Sequence, residues 1–230
     1  MRRLLHQPLD PKCRKIRLAL AEKKLAFEME TERPWDRREE LLVLNPAGML
    51  PVLVEPDGTT VAGDRVIQEY LDEIYQDPDG GMVLLPGGPV DRAEARRIAD
   101  WFDDKFADEV TRNLVDEKIV KRFLPRDLGG GPPDTEIVRI GMHNVSYHLD
   151  YVSFLVERRN WLAGDSLTIA DLAAAAHFSA VDYLGNVPWT DFPQAKEWYA
   201  RIKSRPSFRP LLADHVPGMP AAQHYANLDF

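Results

Sequence analysis

A small α+β domain followed by an all-helical domain is the fold class this 230-residue sequence predicts, and three observations predict it. Short apolar runs alternate with helical spacing over the first eighty residues, in the order β-α-β and then β-β-α. Turn-forming stretches at Gly80-Gly81 and Pro86-Gly87-Gly88-Pro89 then interrupt the chain. Beyond them the long apolar patterns are helical.

Taken in order, Met1–His6 reads as a strand and Lys12–Lys24 as a helix carrying Ile16, Leu18, Ala19, Leu20 and Ala21. Ala26–Thr31 reads as extended. Val52–Glu55 and Thr59–Ala62 flank Pro56-Asp57-Gly58, a turn sequence between two apolar runs, and so predict a hairpin. Val66, Ile67, Tyr70, Leu71 and Ile74 then recur at helical spacing. In the second half, Ala93–Phe123 carries an amphipathic pattern through Ile98, Trp101, Phe102, Phe106, Val110, Leu114 and Ile119. Gly129-Gly130-Gly131-Pro132-Pro133 ends it, and Thr135–Arg158 supplies the next helix. Thr168 and Asp171 have capping-box spacing before an apolar run, which predicts a buried helix. Pro193–Lys203 is helical, and Pro217, Gly218 and Pro220 prevent a simple helical tail. These readings divide the chain into residues 1–78, a linker 79–90, a helical domain 91–214 and a tail 215–230.

Composition narrows the function. The net charge is −8, shared as −3 over residues 1–78 and −5 over the rest, so neither half offers a basic surface and no nucleic-acid partner is expected. No apolar run approaches the roughly 18 residues of a membrane span, and Leu4-Leu5 is too short for a signal-peptide core. A cytoplasmic protein without membrane insertion is expected. Cys13 is the one cysteine, so no intramolecular disulfide or multi-cysteine metal site can form. His143 and His148 are five apart and turn off a common helical face, and no metal or cofactor is expected.

Three segments carry a more specific signal: Arg14-Lys15-Ile16-Arg17-Leu18-Ala19-Leu20, the Asn45-Pro46-Ala47-Gly48-Met49-Leu50-Pro51-Val52-Leu53 loop, and Val66-Ile67 with Tyr70-Leu71. Together they resemble the glutathione S-transferase superfamily, over about residues 1–214. The resemblance implies a thioredoxin-like first domain, a cis peptide bond before Pro51, and free backbone groups on Leu50 facing a bound peptide.

The glutathione contacts implied by that resemblance are altered. Gln7 and Asp10 fall where the superfamily carries its active Ser, Tyr or Cys, and an ionised Asp10 cannot donate a hydrogen bond to a thiolate, whereas the Gln7 amide can. Cys13, between Lys12 and Arg14 in the first helical turn, could react as a thiolate or pack as a small apolar residue. Gly63-Asp64 replaces a polar pair that holds the γ-glutamyl end, and Asp64 reads as a helix N-cap. Met49 replaces a cation or amide. The expected pocket is thus a degraded one at Gln7, Asp10, Met49, Leu50, Pro51, Gly63 and Asp64, with no catalytic residue assigned.

Within the superfamily, a degraded pocket joined to an aromatic-acidic tail resembles the bacterial division regulators that bind FtsZ. That resemblance implies a homodimer at the division site which binds FtsZ polymers and alters their curvature without turning over glutathione. Asn227, Leu228, Asp229 and Phe230 form the candidate partner-binding element, and Leu25 and Trp35, apolar groups set among charges, are candidate dimer contacts. The alternatives are an active glutathione-dependent transferase acting on small electrophiles and a glutathione-independent enzyme using Cys13.

Overall fold

The computed structural model describes residues 1–76 and 82–228. The Gly80-Gly81 turn, the boundary at 78/79 and the tail residues Asp229 and Phe230 lie outside the described residues. β1 (Arg3–His6), α1 (Pro11–Glu22) and β2 (Glu28–Thr31) form the β-α-β unit, with β1 and β2 parallel. A 3-10 turn, Pro34–Asp36, and a short helix, α2 (Glu39–Leu44), follow. β3 (Val52–Val54) and β4 (Thr60–Ala62) pair antiparallel, and β3 also pairs antiparallel with β1, giving the order β2-β1-β3-β4. In the hairpin turn Asp57 accepts the Thr59 N–H at 2.9 Å, and Gly58 takes the positive φ of 91° that the turn requires. α3 (Asp64–Ile74) completes the first domain.

α1 is buried almost all round, because it packs against α3 on one side and against the helical domain on the other. Its charged residues Arg14, Lys15 and Arg17 are therefore interior. Each has partners. Arg14 donates to Ser179 Oγ, Tyr225 Oη and Asp214, Arg17 makes a two-pronged pair with Asp214, and Lys15 Nζ sits between Asp64 and Asp103.

The second domain begins with α4 (Pro89–Asp100), two residues before the predicted boundary at 91. Proline at the first helical position lacks an N–H that would go unpaired there, and Asp91 accepts the Gly88 N–H at 2.9 Å. α4 runs on into Trp101–Val120, which is wound in the wider turns of a π-helix, and then into α5 (Lys121–Phe123). A repeat explains the widening: Ile98, Phe102, Phe106, Val110 and Leu114 are all buried and spaced four apart. On a helix of about 3.6 residues per turn, a four-residue repeat drifts by about 40° per step. Wider turns reduce that drift and hold the stripe against α6 (Thr135–Val156) and α7 (Ile169–Tyr183). Gly141 marks the closest approach to α6, since a Cβ there would lie 2.7 Å from the Asn113 Cβ.

α7 is the axis of this domain, buried along its whole length. The Thr168–Asp171 capping box forms, and Asp171 also accepts from Leu162 N–H and Trp198 Nε1 at 3.0 Å each. α8 (Pro193–Lys203) and α9 (Arg209–Leu212) pack outside it. The tail then folds back on its own domain: Ala222 N–H donates to Tyr183 C=O, and Tyr225 is fully buried.

Candidate functional site

Between the start of α1 and the π-helical segment lies a cavity of about 580 Å³. Gln7, Asp10, Met49 and Leu50 line it from the first domain, together with Leu9 and Pro34. From the second come two four-spaced rows, Ala107, Thr111, Val115 and Ile119 beside Asp104, Asp108, Arg112 and Asp116. The same winding that keeps the apolar stripe on the core presents these rows to the cavity. Sequence reasoning did not find them, although their four-residue spacing was the available signal.

Local structure assigns the first-domain residues distinct roles. Asp10 is the N-cap of α1, its Oδ1 accepting the N–H groups of Lys12 at 2.8 Å and Cys13 at 3.4 Å. Burial pushes the Asp10 carboxyl above the usual carboxylate range, against the pull of those backbone bonds. Cys13 is fully buried, its Sγ accepting the Gln7 N–H, and burial together with the nearby Asp10 raises the thiol well above its ordinary value. A buried thiol held in its protonated form is a packing group and a poor nucleophile. His6 is driven down to about 4 by burial and by Arg17.

The Leu50-Pro51 bond is cis, and the Leu50 N–H and C=O join no hydrogen bond among the described residues. Met49 is exposed, while Asn45 fixes the loop by donating to the Met49 C=O at 2.9 Å. Pro51 itself lines none of the cavities described here; its C=O accepts the Gly63 N–H at 3.0 Å.

Asp64 differs from its expected role. Gly63, at φ 90°, occupies the N-cap position, and Asp64 is the first residue of α3 with no side-chain capping bond. Its carboxylate instead meets the buried Lys15 ammonium, which also holds Asp103. A buried ammonium needs counter-charge more than a helix end needs one acceptor. Gly63 and Asp64 therefore face a smaller cavity of about 130 Å³, shared with Lys12, Arg65 and Asp103.

The cavity is acidic. Asp10, Asp103, Asp104, Asp108 and Asp116 line it against Lys12 and Arg112. Asp104 pairs with Arg65 at 2.6 Å and Asp108 with Arg112 at 2.8 Å. Burial opposes ionisation of Asp103, but Lys15 and then His177 outweigh it and hold the carboxyl well below the usual range. Asp116 is pushed up to about 6, by burial first and by Asp10 second. Among the described residues, no group of three or more His, Cys, Asp or Glu side chains is placed to hold a metal ion.

The other candidates lie elsewhere. Leu25 is half-buried and packs against the main apolar core, while Trp35 sits half-buried in the 3-10 turn. Asn227 is exposed and Leu228 half-buried, just after the anchored Tyr225. Among the described residues no helix is long and apolar enough to cross a membrane.

Comparison with known proteins agrees with this architecture. The model of the glutathione S-transferase N-terminal domain matches residues 11–74, and that of the C-terminal domain matches residues 143–206. The chain is 47% identical to FtsZ-localized protein A of Caulobacter vibrioides, covering 100% of this chain and 98% of that protein. Among solved structures, a glutathione S-transferase from Rhodospirillum rubrum F11 is 53% identical with a TM-score of 0.94, each chain covered completely. FzlA from C. crescentus is 46% identical with a TM-score of 0.92, covering 100% of this chain and 99% of the other.

Proposed function

Because this chain belongs to the glutathione S-transferase family, with its two-domain body intact and its thiol-activating position altered, we propose that it is a non-catalytic regulator of bacterial cell division. It binds FtsZ polymers as a homodimer and modifies their curvature at the division site. The observation that carries this reading is the 47% identity to FtsZ-localized protein A over the whole chain, tail included. The cavity chemistry supports it: glutathione brings two carboxylates to a space lined by five others, and the buried Cys13 offers no substitute nucleophile.

Asn227 to Phe230 are the partner-binding element, carried on a tail whose Tyr225 is tied to the body. Leu25 and Trp35 remain the candidate dimer contacts. Two copies of a weak site on one rigid body gain from effective concentration along a filament. Co-sedimentation with FtsZ polymers tests the reading. The full chain pellets with polymer, and a chain lacking residues 227–230 stays in the supernatant with its unfolding midpoint unchanged; a full chain that stays in solution refutes it.

The second reading, a glutathione-dependent transferase acting on small electrophiles, draws on the Gln7 amide beside the cis Leu50-Pro51 bond and on the 53% identity to the R. rubrum protein. Saturable glutathione binding below millimolar in calorimetry, with turnover of an electrophile, would establish it.

A further inference from the structure

The large cavity holds more acid than its internal bonds use. Three of its carboxylates, Asp103, Asp104 and Asp108, are matched by Lys15, Arg65 and Arg112. The Asp116 carboxylate makes no hydrogen bond or ion pair among the described residues; its backbone carbonyl is engaged by the Lys121 N–H. His177 Nε2 and Asp103 Oδ1, 3.5 Å apart and both 2% exposed, face each other as a buried pair, so the unmatched carboxylate on this wall is that of Asp116. A carboxylate left unpaired in a cavity wall marks where a ligand's polar atoms are accommodated. Leu9, Leu50, Val115 and Ile119 supply apolar surface on the same walls. The volume lies within the usual range of small-molecule sites.

We propose that this cavity binds a small organic amine, its ammonium held by Asp116 and Asp10 and its apolar body lying against Leu9, Val115 and Ile119. The chemistry selects that class. Outside the ion pairs of Asp103, Asp104 and Asp108, the lining leaves Asp10 and Asp116 against Lys12 among the described residues, so its unmatched charge favours a cation over an anion. A metal ion needs converging ligands that the described residues do not assemble. An ammonium on an apolar chain uses both surfaces, because its N–H groups donate to carboxylates while its carbon skeleton leaves water. The site does not depend on polymer binding, so the two proposals fail separately.

The pH dependence follows from the groups around Asp116. Asp10 and Lys12 face it from the start of α1, Arg112 and Glu117 lie beside it on its own helix, and Pro34, Met49 and Leu50 bring no titratable side chain. With Asp116 at about 6, ammonium binding is favoured above neutrality and weakens toward pH 5.

Titration calorimetry with three probes of one shape tests this: 4-phenylbutylamine, 4-phenylbutanol and 4-phenylbutyrate, added to the full chain at pH 7.5 and pH 5. At pH 7.5 the amine binds about tenfold more tightly than the alcohol, and the butyrate more weakly than either. That preference shrinks at pH 5, and Asp116→Asn removes most of it while leaving the alcohol unchanged. Equal binding of amine and alcohol, tighter binding of the butyrate, or no binding of the amine overturns the proposal. An unaltered preference in a folded Asp116→Asn chain does so as well. The pH series on the unsubstituted chain decides the matter without any variant.

Discussion

Replacing Asp116 by Asn should stabilise the fold at pH 8 and leave it unchanged at pH 4. The carboxyl ionises at about 6 in the folded chain against an ordinary value of 3.8, because burial and the neighbouring Asp10 disfavour its charged form. A raised folded-state value means that the native state holds this proton more tightly than the unfolded chain does. Stability from this group is therefore full below about pH 4, falls as the pH rises toward 6, and is flat above 7. At about 1.4 kcal/mol per unit, the shift corresponds to roughly 3 kcal/mol, and contact with cavity water reduces this to about 1–2 kcal/mol. Asparagine imitates the protonated acid, so the variant gains that amount at pH 8. In a chain of this size the gain raises the melting temperature by about 2–8 °C. Urea unfolding of both chains at pH 8, 6 and 4 measures it. A difference independent of pH, or a less stable variant at pH 8, would refute the electrostatic account. The same substitution should weaken amine binding, so the acid that costs stability is the one that selects a ligand.

Two further predictions concern packing. Asp214→Asn removes the anion shared by the buried Arg14 and Arg17 and should cost about 3–5 kcal/mol in urea unfolding at pH 7. In the unsubstituted chain those two arginines outweigh burial and hold Asp214 below the usual carboxylate range. Its contribution is therefore present above about pH 4 and lost as the pH falls further, and the variant should show a shallower acid limb. Gly141→Ala should cost about 1–3 kcal/mol, because the added methyl meets Asn113 Cβ and Leu114 Cγ inside 3.0 Å; unchanged stability would show that α6 can move aside.

The individual strands, the hairpin and the Thr168–Asp171 cap were legible because each depends on neighbours within a few residues. The role of Asp64 was not, since choosing between capping and pairing required knowing that Lys15 is buried beside it. The interior pairing of Arg14 and Arg17 was not legible for the same reason: their partners lie about 165 to 211 residues away along the chain. The cavity's second wall lay in the sequence as a four-residue repeat, yet it became visible only once the wide winding showed which side the repeat faces.

The tie between Arg14 and Tyr225 has a mechanical meaning. Arg14 Nη1 reaches both Tyr225 Oη and Ser179 Oγ, and its other nitrogen holds Asp214. A pull on the C-terminal segment meets α1 and α9 together at Tyr225, since its hydroxyl accepts from Arg14 and donates to the Leu211 C=O at 3.1 Å. Helix α1 begins at Pro11, and Lys12, two residues before Arg14, lines the cavity. The Arg14 guanidinium thus joins the first helix of one domain to the C-terminal segment of the other, close to the cavity wall.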